Sequence, residues 1–437
     1  MVNTKLKNRD IYLKKLISFK DTDPIKVITG IRRCGKSKLL ELMIEYLKKF
    51  GIAKSQILKI NFESYEFRNM TEKQFYEYVK SKIVSKKKMY LFFDELQKVK
   101  GWENVVNSLK TENDCDIYIT GSNAYLLSTE YSTYLSGRYI EIKMLPLSFG
   151  EFINFYGFKI KKNKNSLGKE QTKLYNDNDE QYDINDMFNT YLIYGGMPGI
   201  SDIGLDQEKV NYLLDGIYTS VVVKDILQRE IYNNSKKITD SFLLEKIILF
   251  LADNIGNTTS LTSIANTLEN VKLIKKQKHT KSSVNTISDY VDALLKSYFF
   301  YEIKRYDIKG KEYLKTLGKY YMADIGFRNY LLGLKNIDRG HILENIIYLE
   351  LLRRNYNVYI GKIDTFEIDF IAANVKETIY IQVTESITSK NVLERELNPL
   401  NKVSDNYEKI ILSMDKNITQ SYDGIKVKNI IDWLLEI

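Results

Sequence analysis

The chain has 437 residues, a formal net charge of +9, 44% hydrophobic and 28% charged residues, which suits a globular protein with room for two or three cores and permits nucleic-acid contact without demanding it. Two cysteines, Cys34 and Cys115, exclude a disulfide framework and point to a reducing, cytoplasmic compartment. Two histidines, His279 and His341, exclude a histidine-rich zinc site.

The N-terminal MVNTKLKNRDIYLKKLISF carries charges throughout and does not read as a signal peptide. No later run approaches the roughly 20 apolar residues of a membrane helix, so no membrane association is expected. From residue 25 to about 145 the apolar runs IKVITG, QILKINFES, MYLFFDE, DIYITGS and RYIEIKM alternate with SKLLELMIEYLKKF, EKQFYEYVKSKI and GWENVVNSLKT, which have helical periodicity. Apolar strands joined by helical crossovers predict an α/β fold with a parallel sheet covered on both faces.

The loop after the first strand, GIRRCGKS (residues 30–37), matches G-x-x-x-x-G-K-[ST] between a strand and a helix, where a phosphate cradle has to lie. Gly30 and Gly35 let the backbone wrap phosphates without Cβ clashes. The amides of Gly30, Ile31, Arg32, Arg33, Cys34, Gly35, Lys36, Ser37 and Lys38, with the helix N-terminus, are then candidate contacts to ATP. Lys36 is placed for the β- and γ-phosphates and Ser37 for Mg²⁺; Arg32 and Arg33 read as loop-fixing or phosphate-facing residues. MYLFFDE is a buried strand ending in two carboxylates, Asp94 for the hydration shell of Mg²⁺ and Glu95 for the attacking water. DIYITGSN ends in Ser122 and Asn123, either of which suits a γ-phosphate sensor. In SGRYIEI, Arg138 has two open readings, an arginine finger toward a neighbouring subunit of a homo-oligomer or a packing arginine.

The succession GIRRCGKSKLL, LFFDELQKVKGWENVVNSLK, YITGSNAYLLSTE and YLSGRYIEIKMLPLSFGEF, with YLIYGGMPGI further on, resembles a family of prokaryotic AAA-like ATPases that carry a C-terminal region of poorly known function. The resemblance implies a five-stranded P-loop NTPase core, a middle, mostly helical winged-helix region and a restriction-endonuclease-like C-terminal α/β domain. The corresponding division is 1–158 for the ATPase, 159–186 for a polar linker or insertion, 187–335 for the helical region and 336–437 for the last domain. In the middle, SLTSIANTLENV and SSVNTISDYVDALLKSYFFYEIKRYD suggest a helix-turn-helix in which Thr262, Ile264 and Leu268 pack on Val284, Ile287 and Leu294. FFYEIKRY and EYLKTLGKYYMAD would form the wing. Lys275, Lys276, Lys278 and Lys281 offer phosphate contacts if this region meets DNA.

In the nuclease pattern that the resemblance implies for the last domain, Glu344 and Asp369 match two carboxylates. Gln382 stands where a metal-ligating Glu belongs and Thr384 where a Lys belongs, so no DNA cleavage is expected. The leading expectation is Mg²⁺-dependent ATP hydrolysis driving a conformational switch. The rivals are an ATP-gated DNA-binding regulator with negligible turnover and an ATP-controlled nuclease.

Overall fold

Five runs that read as strands form one parallel sheet in the computed structural model, which describes residues 6–122, 137–164, 170–227, 238, 240–270, 280–334, 339–416 and 419–436. They are β1 (Ile25–Thr29), β2 (Ile57–Asn61), β3 (Met89–Asp94), β4 (Cys115–Thr120) and β5 (Tyr139–Lys143), in the order β2-β3-β4-β1-β5. Every neighbouring pair is parallel, so the carboxyl ends of all five strands share one edge. β1, β3 and β4 are buried along their whole length, which is why they read as continuous apolar runs. The exception in β1 is Lys26, fully buried, whose ammonium meets Asp116 of β4 at 2.6 Å. The helix Lys36–Lys49 turns Leu39, Leu40, Met43 and Leu47 inward. Phe75 and Val79 from Glu72–Lys82 join Trp102, Val105, Val106 and Leu109 from Trp102–Glu112 in a core over the β2–β3–β4 part of the sheet.

The chain divides into two compact units. The first comprises the described parts of 6–146 together with 220–227 and 296–298; the second comprises those of 147–219, 238–295 and 299–436. Within the second, the stretch read as a linker is a small antiparallel sheet of β6 (Lys159–Lys164), β7 (Glu170–Tyr175) and β8 (Gln181–Tyr182). Its polar composition hides it: among the described side chains there, Leu174 is the buried aliphatic one.

The two helices of the middle region form as expected, Leu261–Asn270 and Thr280–Lys296. Ile264, Leu268, Ile287 and Leu294 are buried, whereas Thr262 faces solvent. Of the lysine cluster, Lys275, Lys276 and Lys278 fall outside the described residues. The two strands read as a wing, β9 (Phe300–Asp307) and β10 (Glu312–Met322), do pair antiparallel. They do not stand apart: β9 also pairs in parallel with β11 (Asn357–Ile363). The resulting eight-stranded mixed sheet continues through β12 (Phe366–Ala373), β13 (Thr378–Thr384), β14 (Glu408–Ser413), β15 (Ser421–Tyr422) and β16 (Ile425–Asn429), in the order β10-β9-β11-β12-β13-β14-β16-β15. The boundary read at 335/336 therefore runs between strands of one sheet.

The glycine pair of YLIYGGMPGI has a local cause. Gly195 closes the helix Ile184–Tyr194 at φ 77°, and a Cβ there would stand 1.9 Å from Asp324 Oδ1. The amide of Gly196 donates to Asp324 Oδ2 at 2.5 Å while Asp324 Oδ1 caps the helix Ile325–Leu332 through the Gly326 amide. Burial pushes the Asp324 carboxyl up to about 7 against the pull of those two amides. Among the described residues no helix is long and apolar enough to cross a membrane.

Candidate functional site

Because β1, β3 and β4 are parallel neighbours, Thr29, Asp94 and Thr120 end at the same edge of the sheet, and the glycine loop leaves β1 there. Gly30 has φ 139°, and a Cβ on it would meet the Met144 carbonyl oxygen at 2.1 Å, so the loop's first turn admits only glycine. Gly35 opens the helix Lys36–Lys49 at φ 107°. Ile31 and Cys34 are buried and anchor the loop from below, while Arg33 (φ 63°) and Lys38 face solvent and Lys38 pairs with Glu41. Arg32 is committed to two carboxylates, Glu63 at 2.8 Å and Asp225 at 3.0 Å. Burial works against its charge, but Asp225, Glu63 and Glu95 outweigh it and raise its pKa.

Lys36 is 4% exposed, and its ammonium donates to the carbonyls of Gly30 (2.9 Å) and Ile31 (3.1 Å). Among the described residues no carboxylate pairs with it. Ser37 Oγ donates to Asp94 Oδ1 at 3.0 Å, and Thr120 Oγ1 donates to the same oxygen at 2.5 Å. The amide of Glu95 donates in turn to Thr120 Oγ1 at 3.0 Å. Glu95 itself takes the left-handed conformation, φ 55° and ψ 47°, uncommon for a side-chain-bearing residue and concentrated at functional sites. Its Oε2 accepts from Gln97 Nε2 at 2.6 Å, and Gln97 Nε2 also reaches Ser122 Oγ at 3.4 Å.

Of the residues singled out in the sequence, Lys36, Ser37, Asp94, Glu95 and Ser122 thus lie on one connected patch. Asn123 falls outside the described residues. Arg138 is exposed and precedes β5; its carbonyl accepts from the Ile25 amide, and Ile25 pairs with Tyr139 while Thr29 pairs with Lys143. It therefore lies at the other end of β1 from its own phosphate loop. Sequence reasoning missed Thr120, Gln97 and Arg9. Arg9 is 2% exposed and ties the loop down through the carbonyls of Cys34 (2.9 Å) and Leu145 (2.7 Å).

A five-stranded parallel sheet with a glycine-lysine-serine loop at the end of one strand and an Asp-Glu pair at the end of another defines an AAA-like ATPase of the P-loop class. Residues 22–153 match the family described as an AAA domain, and residues 185–338 match a domain of unknown function (DUF8612). The chain is 41% identical over 431 residues to an uncharacterized protein of Haemophilus influenzae, covering 98% of both. It is 31% identical over 405 residues to an uncharacterized protein of Methanocaldococcus jannaschii, covering 91% of this chain and 81% of that one. The chain belongs to the family these proteins form, AAA-domain proteins with a P-loop. Among solved structures it matches a Walker-type ATPase of Pyrococcus abyssi (TM-score 0.43, 16% identity, 74% of this chain and 95% of that chain). It also matches AMPPCP-bound DnaA from Aquifex aeolicus (TM-score 0.30, 15% identity, 64% and 92%).

The second unit holds a separate polar cluster beside a cavity of about 890 Å³ lined by Glu344, Glu367, Asp369, Gln382 and Glu396 among others. Thr384 stands at the position of the pattern's lysine, but β10 supplies Lys319, whose ammonium stands 2.9 Å from Glu367, 3.3 Å from Glu344 and 4.0 Å from Asp369. Burial opposes the Lys319 charge, but the three carboxylates outweigh it and raise its pKa; burial and the Glu344 charge push Asp369 well up. Gln382 Oε1 accepts from the Asp369 amide at 2.8 Å and its Nε2 donates to Glu396 at 3.0 Å, so the amide braces β12 to the helix Lys390–Asn401. Removing an ammonium from buried carboxylates leaves uncompensated charge. Lys319→Met should therefore destabilise the second unit by about 3 kcal/mol, at the low end of such losses because Glu367 is partly open to water. Urea unfolding followed by Trp433 fluorescence in a Trp102→Phe background measures it, and an unmoved midpoint would refute the ammonium's role.

Proposed function

We propose that the protein is a Mg²⁺-dependent ATPase whose hydrolysis drives a conformational switch of its second unit. The observation that carries this reading is Lys36: a buried ammonium at a helix N-terminus, held only by two loop carbonyls among the described residues, is a cation kept for an anion that arrives from outside. Lys36 and the loop amides from Gly30 to Lys38 would hold the phosphates. Ser37 and Asp94 fit Mg²⁺, since a hydroxyl and a carboxylate oxygen already stand 3.0 Å apart there. The metal would supply charge neutralisation on the β- and γ-phosphate oxygens. Glu95 would orient the attacking water, with Ser122 or Asn123 beside it. The Arg32–Asp225 pair supports the switch, because it joins the phosphate loop to the segment Ser220–Leu227, which the chain enters directly from Thr219 of the second unit.

Lys36→Ala should abolish ATP binding, because no other loop cation takes its position. Glu95→Gln should leave binding intact and lower kcat by about 10²- to 10⁴-fold. Equilibrium binding of a labelled nucleotide and steady-state phosphate release separate the two effects, and wild-type turnover in Glu95→Gln would sink the assignment.

Arg138 is proposed to act on a neighbouring subunit, a reading supported by its place at the far end of β1 from its own loop. Such an arginine accelerates hydrolysis by about 10³- to 10⁵-fold. Mixing Arg138→Ala with Lys36→Ala subunits should therefore restore turnover that neither shows alone. Unimpaired turnover by Arg138→Ala would return this residue to a packing role.

The second unit is proposed to work without cutting DNA. Gln382, where the pattern has a metal-ligating Glu, spends its amide on Asp369 and Glu396, and a neutral amide is a poor ligand for Mg²⁺. Incubation with single- and double-stranded DNA in Mg²⁺ and in Mn²⁺, with and without ATP, should leave both intact; cleavage lost in Asp369→Ala would reverse the conclusion.

A further inference from the structure

We propose that Gln97 is a positioning residue for ATP hydrolysis, a single amide that joins the carboxylate of Glu95 to the hydroxyl of Ser122. The inference rests on the reading of Glu95 as the residue that orients water, and goes beyond it by naming what orients Glu95.

The backbone of Glu95 is fixed at both levels that matter. Its φ of 55° is a left-handed conformation, and its amide is pinned to Thr120 Oγ1 at 3.0 Å, on the hydroxyl that also serves Asp94. A fixed backbone still leaves a glutamate three rotatable bonds, enough to swing its carboxylate by several ångströms. Only a partner at the far end of the side chain can remove that freedom. Gln97 Nε2 is such a partner, donating to Glu95 Oε2 at 2.6 Å. The reach is local: the turn Leu96–Lys98 folds the chain back so that residues 95 and 97 meet.

The same nitrogen lies 3.4 Å from Ser122 Oγ. Ser122 follows β4 and is 1% exposed, so its hydroxyl has little choice of partners. Gln97 therefore spans the ends of β3 and β4 at the side-chain level, as Thr120 does closer to the sheet. With Ser37 and Asp94 included, an unbroken series of polar contacts runs Ser37–Asp94–Thr120–Glu95–Gln97–Ser122.

The other end of the Gln97 amide is not spent on a described neighbour. Gln97 Oε1 is buried and accepts no hydrogen bond among the described residues. Among the described residues, the amide is thus committed toward Glu95 and Ser122. The opposite amide orientation would set Oε1 against the Glu95 carboxylate, acceptor to acceptor, so the donor must face the glutamate.

The test compares full-length wild type, Glu95→Gln, Gln97→Met and Gln97→Glu in steady-state ATP hydrolysis, with binding of a fluorescent non-hydrolysable ATP analogue and thermal midpoints as controls. Gln97→Met keeps the length of the side chain and loses the donor. Gln97→Glu keeps the shape, loses the donor and sets a like charge beside Glu95. A misplaced reacting group costs about 10²-fold in rate, so kcat should fall by about 10²-fold in Gln97→Met and further in Gln97→Glu. KM, analogue binding and thermal midpoint should stay within about twofold or the equivalent of wild type, because the phosphates are held elsewhere. A purely structural role would move KM, binding and midpoint together with kcat, and that result overturns the proposal. So does a Gln97→Met kcat within about twofold of wild type while Glu95→Gln is inactive; in that case hydrolysis through Glu95 stands and only the role of Gln97 falls. Wild type that binds the analogue but shows no turnover would instead remove the hydrolysis reading, and this inference with it.

Discussion

Asp94 Oδ1 accepts hydrogen bonds from Ser37 at the start of a helix and from Thr120 at the end of β4, and these two bonds bring three segments distant in sequence to one point. Everything proposed for the site depends on that convergence. It requires β3 and β4 to run parallel in a register that pairs Phe93 with Ile119. A slip of one residue would turn Asp94 and Thr120 to opposite faces. The apolar residues Leu91, Phe93, Ile117 and Ile119, all in the core on one side of the sheet, resist such a slip because it would expose them. The apolar core thus keeps the register in which those two hydrogen bonds can form.

The two units handle buried charge in opposite ways. In the first, Lys36 is buried with only loop carbonyls as its described partners, a state that favours an incoming anion. In the second, Lys319 is already surrounded by Glu344, Glu367 and Asp369. One lysine is left with capacity to bind and the other has it filled, although both are nearly inaccessible to solvent. Burial alone distinguishes nothing here; the identity of the neighbours does.

The strands β1 to β5, the helices between them and the residues Lys36, Ser37, Asp94, Glu95 and Ser122 were legible because apolar runs and a fixed-spacing loop leave marks in sequence. Arg9 was not, because its partners are the carbonyls of Cys34 and Leu145, and a carbonyl has the same chemistry in every residue. Thr120 carried a weak signal, a hydroxyl ending an apolar strand beside the one that ends in Asp94. Lys319 was hidden in a hairpin read as a wing. The antiparallel pairing of β9 and β10 is local and was visible; the parallel pairing of β9 with β11 spans more than 50 residues, as Arg305 opposite Ile360 makes plain, and nothing in either strand announces the other. Without that pairing, Lys319 has no reason to meet Asp369.

The match to an AAA domain ends at residue 153, but the folded first unit does not end there. It includes Asp225, which holds Arg32 of the phosphate loop, and Tyr298, whose hydroxyl donates to Glu141 of β5 at 3.0 Å. No single cut in the chain therefore yields the first unit by itself. A fragment trimmed to the family boundary would lack both side chains, leaving Arg32 and Glu141 to find solvent in their place. Nucleotide affinities measured on such a fragment would describe a loosened loop, and the difference from the full chain would be a measure of what those later residues contribute.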